Sequence, residues 1–151
     1  MSDLISTDQP FTLDEQEILD GLLDTLMPAS DDGRMPSASD VGFVQYLTQQ
    51  DEPFIPEVKS VLAALGHISL NTEFEARYER VGTFSNEDPQ AFSELLSRVY
   101  DCYYQDDRVR QAIGVVTGAP FPQGNEIISG DLSLLDPVIA EEDRHRYRKI
   151  K

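Results

Sequence analysis

The side chains able to do chemistry are few: one cysteine, two histidines and a surplus of carboxylates. Cys102 lies in an apolar helical run between Tyr100 and Tyr103. A reactive thiol needs an accessible, electropositive setting, so this one is expected to be buried and inert. His67 follows Gly66 in a turn with no Ser or Cys signature beside it, and His145 stands in a basic run, so neither is placed as a catalytic base. Asp31-Asp32 and Asp106-Asp107 lack the further oxygen ligands at fixed spacing that a calcium loop requires. They read as helix caps and solvated acids. Glu141-Glu142-Asp143 adjoins an arginine-rich stretch and is expected to pair with it. Gly114, Gly118 and Gly124 are too widely spaced to cradle a phosphate, and neither dinucleotide nor P-loop fingerprints occur. The expectation is a chain without catalytic, cofactor-binding or metal-ligating residues of its own, and hence not an enzyme by itself.

Composition narrows the remaining functions. The 151 residues carry 28 acidic and 12 basic side chains, a net charge of -16, with 40% apolar residues. That is one domain's worth of chain with enough apolar content for a core. The acidic balance disfavours nucleic acid and anionic membrane surfaces, which both need clustered cations. Direct membrane insertion is not expected either, because no run of 18 apolar residues exists. A single cysteine cannot close an intrachain disulfide. The charge is uneven: residues 1–143 hold all 28 acids and seven bases, whereas residues 144–151 hold five bases and no acid. That basic tail is either solvated and internally paired or a docking arm for an acidic partner.

The elements that would position these residues are helices. Thr12-Leu13-Asp14-Glu15 is a capping box, and Ile18, Leu19, Leu22, Leu23 and Leu26 then share one face until Pro28. After a Pro/Ser/Asp/Gly loop, Ser37 is expected to cap a helix carrying Val41, Val44, Tyr46 and Leu47. A third helix is expected over Pro56 to Leu65, with Gly66 as its left-handed C-cap. Thr72-Glu73-Phe74-Glu75 repeats the capping-box pattern and should open a fourth helix with Phe74, Tyr78 and Val81 that ends near Gly82. A fifth, starting after Ser85-Asn86, bears the densest apolar stripe: Phe92, Leu95, Leu96, Val99, Tyr100, Tyr103 and Tyr104. A short continuation runs from Asp106 to Ile113.

Periodicity thus predicts an all-α fold, a small bundle of about five helices over residues 1–114. Residues 115–151 should form an extended, Pro/Gly-containing C-terminal tail on the bundle or on a partner. Its apolar content includes Ile127, Ile128, Leu132 and Ile139, more than a solvated segment would carry.

The blocks Leu22-Leu23-Asp24-Thr25-Leu26-Met27-Pro28, then Asp31-Asp32, then Pro36-Ser37-Ala38 leading into a helix, resemble the opening of the gluconate 2-dehydrogenase subunit 3 family. Gly82-Thr83-Phe84, Val99-Tyr100-Asp101-Cys102-Tyr103-Tyr104, Asp106-Asp107-Arg108-Val109 and Ala112-Ile113-Gly114 look like its later blocks. The tail Asp131 to Val138 and Tyr147-Arg148 are similar to the ends of some members. The resemblance implies a non-catalytic small subunit that stabilises, matures or escorts an FAD-dependent sugar or alcohol dehydrogenase of the glucose-methanol-choline type. FAD and catalysis would belong to that large flavoprotein subunit, and a cytochrome subunit often takes the electrons. Many members carry a twin-arginine leader; the sequence as given has none, so its expected place is the cytoplasm, or the periplasm if exported with a partner.

In this reading Phe121, Pro122, Leu134, Leu135, Val138, Tyr147 and Arg148 are partner anchors, since aromatic and Arg side chains dominate interfaces. The same residues could instead cover the chain's own bundle. A different class of function also fits the composition: a free-standing acidic helical adaptor or inhibitor whose basic partner is released by salt.

Overall fold

The computed structural model describes residues 9–118 and Ser133; the chain divides into two units, Met1–Gly118 and Ala119–Lys151, and residues 9–118 fall in the first. Among the described residues the fold is all-α. Six helices occur: α1 (Leu13–Leu26), α2 (Phe43–Gln50), α3 (Ile55–Leu65), α4 (Phe74–Glu87), α5 (Pro89–Gln105) and α6 (Asp107–Ala112), with short 3-10 turns at Ala38–Asp40 and Glu52–Phe54. Among them none is long and apolar enough to cross a membrane.

The capping box of α1 forms as the sequence dictates. The Thr12 hydroxyl accepts from the Glu15 amide and the Glu15 carboxylate accepts from the Thr12 amide, so two of the helix's orphan donors are satisfied reciprocally. Leu19, Leu22 and Leu23 are fully buried, with Ile18 and Leu26 at the edge of the core. From α3 come Val58, Val61, Leu62 and Leu65, and from α5 Leu95, Val99, Cys102 and Tyr103. Each buried Leu or Val contributes roughly 2 kcal/mol of transfer free energy, and this shared core holds the bundle together.

The backbone overrides several sequence expectations. Ser37 caps only the short turn Ala38–Asp40, because Gly42 adopts a left-handed conformation (φ 73°) that a helix cannot pass through; α2 starts just after it and buries Phe43 and Leu47, leaving Val44 and Tyr46 half-buried. Gly66 does have a positive φ, but its ψ of -151° is extended rather than left-handed helical. The second capping box does not form. Thr72 uses its hydroxyl to accept from the Ser69 amide, closing the loop before α4, and Glu73 stands at the N-cap without a side-chain bond.

Nor does α4 stop at Gly82. That residue stays helical, its carbonyl accepts from Ser85 and Asn86 side chains, and the helix runs on to Glu87. Helix α5 consequently starts later than the Ser85-Asn86 signal suggests. Asp88 caps it by accepting from the Ala91 amide, with Pro89 at the first helical position.

Candidate interaction surface

A polar network joins helices that are far apart in the chain. Arg77, on α4, is only 5% exposed, and its Nη1 donates to the Asp24 carboxylate at 2.9 Å and to the Gly21 carbonyl at 3.1 Å. The other oxygen of Asp24 accepts from the Ser37 hydroxyl at 2.7 Å, and Ser37 lies 2.9 Å from the Ser39 hydroxyl. One residue before Ser37, the Pro36 carbonyl accepts from the buried Tyr103 hydroxyl of α5 at 2.9 Å. The Ala38 amide donates to the Met27 carbonyl, pinning the 28–36 loop back onto the end of α1. Arg108 completes the frame from α6, donating to the Asp40 carbonyl at 2.8 Å and to both oxygens of Asp106.

A charged pair this dry needs both partners in place, because either one left alone would be an uncompensated charge. The frame also draws acids together. Asp20 on α1 has its pKa raised, first by burial and then by the nearby Asp40 carboxylate. Asp106 is shifted the other way, lowered chiefly by the Arg108 hydrogen bond.

Above this network lie exposed rings. Only Asp88 separates α4 from α5, and the two helices pack together as a hairpin. The bonds from Arg77 through Asp24 and the 36–37 segment to Tyr103 bring the start of α4 and the end of α5 to one side, the open end of that hairpin. At 1.5 Å per residue Phe74 and Tyr78 stand about 21 and 15 Å from the turn, and Tyr104 and Tyr100 about 24 and 18 Å, so the two ring pairs lie at overlapping levels along the hairpin. All four are exposed, at 41% and 60% for the first pair and 47% and 44% for the second. They associate in pairs: Phe74 stacks on Tyr78 with centroids 6.2 Å apart, Tyr100 lies 6.3 Å from Tyr104, and Tyr104 meets the buried Tyr103 edge-on at 5.4 Å. The Arg77 guanidinium sits 5.5 Å from the Phe74 ring centre and links rim to network.

This rim corrects the sequence reading at two places. Phe74 and Tyr78 stand with Val81 as the apolar positions of α4 in the sequence, yet its buried face is made by Arg77, Val81 and Phe84. Tyr100 and Tyr104 were expected in the core stripe of α5, which in fact closes through Leu95, Val99, Cys102 and Tyr103. The physical reason is that α5 is apolar over a wider arc than one buried face requires, so Leu96 is half-buried at its edge and the surplus, Tyr100 and Tyr104, falls on solvent.

The other singled-out residues are placed plainly. Cys102 is buried, its sulfur 3.7 Å from the Val41 carbonyl, and burial pushes its thiol up to about 11. His67 is exposed and borders a pocket of about 220 Å3 with Asp14, Glu17, Ser69 and Thr72. Asp32 organises the 28–36 loop, accepting from the Ser30 hydroxyl and the Arg34 amide, bonds that hold its carboxyl below the usual range. Asp106 caps α6. Among the described residues no group of three His, Cys, Asp or Glu side chains is placed to hold a metal ion. Phe121, Pro122, Leu134, Leu135, Val138, Tyr147 and Arg148, together with His145 and Glu141-Glu142-Asp143, lie outside the described residues. Compared with protein-family models, curated proteins and solved structures, the chain matches none.

Proposed function

We propose that this chain is a non-catalytic small subunit that stabilises, matures or escorts an FAD-dependent sugar or alcohol dehydrogenase, with FAD and the reacting groups in the large partner. The observation that carries the reading is the meeting of the blocks behind the family resemblance. Asp24, Pro36-Ser37-Ala38, Tyr103 and Arg108 are scattered over more than eighty residues, yet they share one hydrogen-bonded frame. A frame of that kind explains why such blocks would travel together in a sequence. The exposed aromatic rim above it supplies the second support, since Tyr and Phe rings are over-represented where protein surfaces dock.

In this reading the bundle contributes shape and rigidity, and the rim contributes contact area. Expression of the chain with its neighbouring reading frames, capture through this chain and an absorption spectrum of the product test the proposal. A stoichiometric large partner with a flavin spectrum is expected. A colourless chain that emerges alone would instead favour the acidic adaptor, whose basic partners should dissociate as salt is raised.

A further inference from the structure

We infer that the aromatic rim at the open end of the α4–α5 hairpin docks a partner face built around exposed arginines. The inference deepens the subunit reading by naming the chemistry of the docked surface, and it stands on the described residues alone. Phe74, Tyr78, Tyr100 and Tyr104 present ring faces and edges to solvent. Glu75 and Glu79 are one helical turn apart on α4, beside Tyr78, and Asp101 is one turn from Tyr104 on α5. All three carboxylates are exposed, and none takes part in an ion pair among the described residues. Two like charges at i and i+4 repel, so the pair Glu75 and Glu79 is relieved by a cation arriving from outside.

Rings flanked by carboxylates are the complement of a guanidinium, which stacks flat on an aromatic face while its edge donates to a carboxylate. Arg77 shows the same chemistry within the molecule, with Phe74 on one side and Asp24 on the other. A lysine ammonium offers charge without the planar stack, so arginine is preferred over lysine at this rim. The charge also decides against rim-to-rim pairing of two copies. Self-pairing through the rim would set Glu75, Glu79 and Asp101 against their own kind on a protein of net charge -16.

Fluorescence anisotropy on the full chain tests this with two labelled peptides of equal length and charge, one alternating Arg with Leu and the other Lys with Leu. The Arg peptide is expected to bind at least fivefold more tightly than the Lys peptide. Tyr100→Ala combined with Tyr104→Ala, both at exposed positions, should weaken it about tenfold with an unchanged circular dichroism spectrum, and Tyr78→Ala alone should weaken it less. Glu75→Gln with Glu79→Gln should also weaken it, whereas Glu52→Gln with Glu57→Gln, the same charge change away from the rim, should not. Equal affinity for the two peptides, equal losses in both Gln pairs, or no binding at millimolar peptide would overturn the inference. Concentration-dependent dimerisation abolished by the tyrosine substitutions would overturn it in favour of self-association. No flavoprotein is needed, so this test can fail while the subunit proposal survives, and the reverse.

Discussion

Arg77 makes the most consequential single contact in the described unit. Its guanidinium is shielded from water and neutralised by a carboxylate that is itself only 22% exposed, so deleting one member leaves the other charged and poorly solvated. Arg77→Ala is expected to cost about 3 kcal/mol of stability, and the double variant with Asp24→Leu should cost less than the two single changes summed. Chemical denaturation of the four proteins in the cycle measures that coupling. Cys102 gives a second expectation. With its thiol buried and its pKa near 11, it should resist iodoacetamide at pH 8 in the folded protein and react at an ordinary rate once the chain is unfolded in guanidinium. Asp20 supplies a pH dependence. An acid whose folded-state pKa is raised binds its proton more tightly when folded, so its ionisation takes stability away as pH climbs above the ordinary Asp range. Asp20→Asn should therefore raise the melting temperature at pH 7, and the gain should vanish near pH 3.

At the scale of elements, helix starts and packing distances set what can change. Gly21 lies in the middle of α1, where alanine would normally help a helix by roughly 1 kcal/mol, but an added Cβ would come within 2.9 Å of the Ser69 backbone. Gly21→Ala is thus expected to destabilise by about 2 kcal/mol as overpacking, readable as a lower denaturation midpoint. Helix α6 is only six residues long and depends on Asp106, which accepts from the Arg108 amide and both arms of its side chain. Because that carboxyl's pKa is depressed, its stabilisation is complete above the ordinary Asp range and is lost as pH falls through the lowered value. The helices themselves were legible from capping signals and apolar spacing, as with Thr12-Glu15 ahead of the leucines of α1. Their inward faces were less so. A stripe such as Phe92 to Tyr104 says how much of a helix is apolar, but the neighbours decide which part of it is covered, and α4 presents an arginine where the pattern offered Phe74 and Tyr78. Gly21 has no sequence signal at all, since the Ser69 backbone that crowds it comes from a loop 48 residues away.

For the whole molecule, acidity and aromatic exposure act together. Twenty-eight carboxylates give the chain a net charge of -16, which repels anionic surfaces, and the described unit sets exposed rings beside some of those acids. The resemblance-bearing blocks were visible as separate phrases in the sequence, but their common purpose emerges only from the bonds between them. The proposed subunit role predicts a chain that is more stable with its partner than alone, because a bound partner shifts folding by mass action. The most direct test is native mass spectrometry of the chain captured with its co-expressed neighbours, read alongside the flavin absorption of the same fraction. A stoichiometric complex with a large, FAD-containing chain is the expected result. A monomer free of flavin, stable and unaccompanied, would contradict the subunit assignment.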